Sequence, residues 1–292
     1  MRATIQSFGW YVRRDANPEA VTAFYRDVIG LPALRHGPPV TMFWLGEIFS
    51  FECLLGGSPR PSSFDPAQAP MVPVMRLHDA APLRRRLQNA GVPMVGDVAG
   101  PDGQGFSVVD PSGSMMGFHE CAPDSPFAED REARRRWEAG LVPLPGVAPL
   151  PAGLHALGWV LMRVADVARQ TAFYRDTLGL DVVRTTRDEA WLSLGETALL
   201  GLLPGGVPAP FPADRSEVNE TFILRVWDLD GIVADLLRHG VRFVTAPFDI
   251  PGGRLAYFAD PEGRTIGLQQ RTPASERVED GEAARRWAAR LS

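Results

Sequence analysis

The residues of this chain that carry chemistry come largely in pairs. Trp10 and Trp159, Arg14 and Arg163, and Arg76 and Arg225 recur about 150 residues apart, in the same order. An indole offers a flat stacking face and one N–H donor. A guanidinium offers a planar fork that holds a carboxylate or phosphate bidentately. Period-two counting puts Arg14 on the face of Trp10, Arg163 on the face of Trp159, Arg76 on that of Val72 and Arg225 on that of Thr221. The competing reading is structural: aromatics that fill space, and arginines paired with a neighbouring acid. Glu52 and His119 are not repeated, since the second half has Gly201 and Gln269 there. A carboxylate and an imidazole could work as an acid/base pair or give two ligands to a divalent metal. Two ligands without a third make a poor metal site, so no cofactor is expected and metal at Glu52 and His119 is the less favoured alternative.

The elements that must position these residues are themselves written twice. Ala23-Phe24-Tyr25-Arg26-Asp27 returns letter for letter as Ala172-Phe173-Tyr174-Arg175-Asp176, and Leu45-Gly46-Glu47 returns as Leu194-Gly195-Glu196. With one residue inserted, Asp110-Pro111 matches Asp260-Pro261, and Trp137 matches Trp287. Within each half, a strand leads through a capped helix to three further strands, and then the same order follows again. Asn17 with Pro18 starts the first helix and Gly30 ends it; Asp79, Asp166 and Asp228 are the expected caps of the others. The chain therefore reads as four β-α-β-β-β units of an α+β protein. Residues 1–122 form one domain, 123–140 an appended helix with Trp137 as its anchor, and 141–153 a Pro-rich linker. Residues 154–271 form the second domain, and 272–292 a terminal helix with Trp287.

A length of 292 residues, 45% hydrophobic content and 22% charge fit a soluble globular protein of about two domains. The net charge of −5 and the lack of a dense basic run argue against nucleic acid or an anionic membrane as partner. Arg134-Arg135-Arg136 follows Glu129, Asp130 and Glu132, as suits the dipole of a solvated helix. No apolar run approaches a membrane span, and Cys53 and Cys121 are expected as buried, inert thiols in a reducing cytoplasm. His36, His78, His155 and His239 have no partner spacing and are expected at the surface. The expected partner is a small molecule, with the chain a monomer or homodimer.

The Phe-Tyr-x-x-x-Leu/Ile-Gly-Leu openings (24–31 and 173–180), the Gly91-Val92 and Gly240-Val241 helix ends and the Asp-Pro-x-Gly turns resemble the vicinal oxygen chelate superfamily. That superfamily includes glyoxalase I, bleomycin-resistance proteins and extradiol dioxygenases. The resemblance implies tandem domains, each a cupped mixed sheet made of two units, with the site in the cup. It also implies metal ligands on the first, fifth and last strands. Here those positions hold Trp10 and Trp159, Val72 and Thr221, and Gly117 and Gly267, none of them an ordinary metal ligand. The leading expectation is thus metal-independent binding of an aromatic or antibiotic-like molecule, with Trp10 or Trp159 as stacking wall and the arginines as anion anchors. The alternatives are a glyoxalase- or dioxygenase-like enzyme with an altered metal site, and a structural protein whose cups are filled by its own side chains.

Overall fold

The computed structural model describes residues 5–37, 40–57, 69–100, 103–140, 143–273, 275 and 277–291. Most of the Gly/Pro-rich loop expected over 56–70, and the start of the linker at 141–142, lie outside these residues. The first unit comprises β1 (Ile5–Asp15), α1 (Pro18–Ala23), β2 (Ala33–Arg35), β3 (Val40–Trp44) and β4 (Ser50–Leu55). The second comprises β5 (Met71–Leu77), α2 (Ala81–Asn89), β6 (Met94–Gly100), β7 (Gly103–Val109) and β8 (Met115–Cys121), with α3 (Ala128–Glu138) appended. The third comprises β9 (Leu154–Val164), α4 (Val167–Ala172), β10 (Val182–Thr185), β11 (Ala190–Ser193) and β12 (Leu199–Pro204). The fourth comprises β13 (Glu220–Val226), α5 (Leu229–Arg238), β14 (Phe243–Ile250), β15 (Gly253–Ala259) and β16 (Thr265–Arg271), followed by α6 (Val278–Leu291).

Local chemistry sets these boundaries. Asn17, Asp166 and Asp228 each accept a backbone N–H of the first helical turn, and α1 and α4 run on into π-helical turns at Phe24–Ile29 and Phe173–Thr177. The cap of α2 shifts by one residue: Ala80 is the N-cap, and Asp79 accepts from Ala81 N at 2.9 Å. In each half the Asp-Pro turn is held from inside. Asp110 accepts from the backbones of Ser112 and Ser114, Asp260 from those of Glu262 and Arg264, and each takes a tyrosine hydroxyl (Tyr25, Tyr174) at 3.0 Å.

The strands form two mixed eight-stranded sheets, each of two β-α-β-β-β units, as expected for the fold class. The first runs β14-β15-β16-β13-β1-β4-β3-β2 and the second β10-β11-β12-β9-β5-β8-β7-β6. Which units share a sheet departs from the sequence reading. A sheet within each half was expected, but unit one pairs with unit four through antiparallel β1–β13, and unit two with unit three through antiparallel β5–β9. The sequence domains 1–122 and 154–271 therefore each give one unit to both sheets. A single apolar core runs between the sheets and their helices, including Phe8, Tyr25, Leu83, Leu157, Tyr174 and Leu236. Two repeat-related hydrogen bonds tie the sheets together, Leu157 N to Leu45 O and Phe8 N to Leu194 O. The opposite face of each sheet is a cup with its own small apolar cluster. The first cup holds Trp10, Val12, Ile223, Leu255 and Tyr257; the second holds Val74, Cys121, Phe127, Trp159 and Leu199.

Candidate functional site

The interleaved sheets redistribute the residues singled out from sequence. Trp10, Arg14, Glu52 and Arg225 belong to the first sheet; Trp159, Arg163, Arg76 and His119 belong to the second. Glu52 on β4 and His119 on β8 thus lie in different cups, and the acid/base or metal pair is not formed. The physical reason is the pairing of units across the halves, which gives each cup one member of the pair and a non-ligand opposite it. No group of three His, Cys, Asp or Glu suited to a metal occurs among the described residues. Trp, Val or Thr, and Gly stand at the expected ligand positions in both cups, so this donor set does not fit a metal ion.

Arg76 and Arg225 are not available as anion anchors. Each is buried and ion-paired to an acid that begins an appended helix, Arg76 to Asp130 at 2.7 Å and Arg225 to Asp280 at 2.8 Å. Ser125 and Ser275 bond the same aspartates. These pairs dock α3 and α6 onto the sheets. Two histidines also depart from expectation. His155 is fully buried on β9, and His78 stacks on Trp137 at 3.8 Å.

The first cup is occupied by its own chain. The Arg277 guanidinium, just before α6, lies 4.2 Å from the Trp10 ring and pairs with Glu52, with Glu279 further off at 3.7 Å. Burial works against the Arg277 cation, but Glu52, Glu279 and Asp280 together hold its pKa above the usual value. Trp10 is 1% exposed, and its indole N–H has no acceptor among the described residues. Arg14 stands at the rim, half-buried, near the buried Tyr257 hydroxyl.

The second cup is open. A cavity of about 630 Å³ is lined by Trp159, Trp191, Leu161, Val72, His119 and Arg163, among others. The indoles of Trp159 and Trp191 meet edge to face at 6.0 Å and 89°, and the His119 ring sits edge-on to Trp159 at 5.1 Å. The His119 Nδ1 lies 3.5 Å from Cys121 Sγ, and burial pushes that thiol up to about 12. Cys53 is raised by burial too, so both cysteines are free, buried and inert. Trp191 escaped the sequence reading, and Gly201 was read there only as the counterpart of Glu52, not as the residue that admits the indole. Gly201 lies directly across from Trp191 on β12, and a Cβ there would sit 2.8 Å from the Trp191 ring. The first cup has Met42 opposite Glu52 at the same place. The plug changes with it: the repeat sets Phe127 where the other half has Arg277, and Phe127 packs on Trp191 at 5.1 Å. One cup thus pairs Glu with Arg, and the other pairs Gly with Phe and gains a tryptophan wall. Aligning the two repeats residue by residue carries this signal.

Residues 156–268 match the model of the Glyoxalase/Bleomycin resistance protein/Dioxygenase superfamily. Among solved structures, a candidate dioxygenase from Bacillus subtilis subsp. subtilis str. 168 is 15% identical, with 96% of this chain and 91% of that chain covered and a TM-score of 0.66. Glyoxalase I from Zea mays is 18% identical, with 97% and 95% covered and a TM-score of 0.61. At these identities the likeness shows the fold alone. No curated protein matches the chain.

Proposed function

From its membership of the glyoxalase/bleomycin resistance protein/dioxygenase superfamily, carried by residues 156–268, we propose that the chain is a metal-independent binding protein for a flat, apolar small molecule. The ligand enters the second cup and stacks in the corner between Trp159 and Trp191. The observation that supports this reading is the contrast between the cups: one filled by Arg277 on Trp10, the other a cavity of about 630 Å³ with two indole walls. That volume lies within the range of sites for drug-sized molecules, roughly 300–1,000 Å³. Metal-dependent lyase or oxygenase chemistry has less support, because none of the side chains at the ligand positions is an ordinary metal ligand.

The test is a thermal-shift and fluorescence screen with planar aromatic compounds, beside elemental analysis of protein purified without chelator or affinity tag. Ligand binding to the native state raises the melting temperature, and Trp191→Ala lowers that response. A near-stoichiometric metal that resists dialysis, or a wild-type protein that answers no aromatic compound, would falsify the reading.

A further inference from the structure

Resting on that reading, we propose that the ligand of the second cup is an aromatic acid, its carboxylate held by Arg163. Trp159, Leu161 and Arg163 alternate along β9 and all line the cavity. At ~3.3 Å per residue, Arg163 begins about 13 Å beyond Trp159, so the three residues run from the stacking corner towards one end of the cavity. The charges along the wall are unequal. Glu189 also lines the cavity but is paired with Arg184 at 3.3 Å. Arg163 lines it half-buried, with no ion-pair partner among the described residues. Its counterpart Arg14 stands near the Tyr257 hydroxyl at the rim of the filled cup, and Arg76 deeper in the second cup is spent on Asp130. Among the described residues the unneutralised fixed charge of the cavity wall is therefore one cation, set at the far end of an apolar, aromatic trough.

A ligand that answers both features has a flat ring system of about two rings and a carboxylate at the end of its long axis. The ring stacks in the indole corner, and the acid accepts from the guanidinium fork, whose planar donors match two carboxylate oxygens. Gly201 sets the other dimension. It lets Trp191 lie against the strand, where any side chain would meet the ring at 2.8 Å.

The experiment compares 2-naphthoate with 2-naphthamide, two probes of the same shape that differ in charge, by calorimetric titration of the full chain. Wild-type protein is expected to bind the acid at least about tenfold more tightly than the amide, as a charge-assisted hydrogen bond requires. Arg163→Gln is expected to bring the acid down to the level of the amide. Arg163→Lys keeps the charge but loses the fork, and is expected to fall between them. The wild-type comparison needs no variant and stands if either one fails to fold. Equal binding of the two probes overturns the acid while leaving the aromatic cup in place. Failure of both to bind removes the aromatic cup itself.

Discussion

Gly201 and Trp191 face each other across β11 and β12, and the second cup depends on that pair. Building Glu at residue 201, the residue type of the first cup, drives atoms into the Trp191 ring and the Leu161 methyl, each 2.8 Å from the Cβ position. Gly201→Glu is expected to close the cavity, abolish binding of aromatic probes and cost about 1–3 kcal/mol through overpacking; titration calorimetry and urea unfolding check the two halves of that statement. In the first cup, Arg277→Ala strands the Glu52 carboxylate, which is 7% exposed. Because the Arg277 side chain is 19% exposed and reaches solvent, the loss is set at about 1–2 kcal/mol, below the cost for a fully buried pair. A double-mutant cycle with Glu52→Gln is expected to recover part of it, and simple additivity would show that the two residues do not act as a pair. At this scale the sequence was half legible. Period-two counting put Trp10, Trp159, Arg14 and Arg163 on the cup faces. It could not show that Arg76 and Arg225 are claimed by Asp130 and Asp280, because those acids lie beyond the strands in chain order. Nor could it separate Glu52 from His119 while the sheets were taken to follow the halves.

Each appended helix is docked on its sheet by a buried Arg–Asp ion pair, and the energetics of that pair follow from desolvation. Asp130→Asn leaves Arg76 as a buried cation without its counter-charge, so α3 is expected to loosen at a cost of about 3 kcal/mol or more, read by urea melts and by faster amide exchange along Ala128–Glu138. The same helix covers two histidines with a pH signature. Burial, then Arg76 and Arg136, lower His155 to about 3; burial, then His155 and the nearby Arg134 and Arg76, lower His78 to about 3 as well. Glu47 stands 3.9 Å from His155 Nε2 on the other side of the balance. In the unfolded chain a histidine takes its proton near pH 6.5, while these folded ones stay neutral until about pH 3. Stability is therefore complete above pH 6.5 and falls as the pH drops from there towards 3, by up to about 1.4 kcal/mol per pH unit for the fully buried His155. His78 lies closer to solvent and contributes less. The repeat has Gln6 in place of His155, so His155→Gln is the variant expected to flatten the slope in urea melts between pH 8 and 4. An unchanged slope would place the acid sensitivity elsewhere.

Over the whole molecule the two halves are interleaved, and the pairing of units settles how they can exist apart. The repeat, the caps at Asn17, Asp166 and Asp228 and the Asp-Pro turns made the four units legible, because each rests on contacts close in sequence. The pairing of the units rests on the edges of β1, β5, β9 and β13. Those strands carry nearly the same pattern, so joining one with two and three with four would satisfy local rules equally well. The chain joins one with four and two with three. A clasp reinforces that choice: Arg136 of α3 and Arg286 of α6 each bond both Glu47 and Glu196, which hold left-handed backbone at φ 46° and 54°. Residues 154–292 on their own would leave the β9 and β13 edges bare, each asking for an antiparallel partner supplied in the full chain by β5 and β1. The same pairings can be remade by a second copy, with unit three of one copy taking unit four of the other. Isolated 154–292 is therefore expected to be a homodimer whose unfolding midpoint rises with protein concentration, as it must when folding and association are one event. Light scattering across a dilution series checks it. A monomeric half with a cooperative, concentration-independent transition would mean that units three and four can close a sheet together, and that the interleaving is only one of two stable pairings.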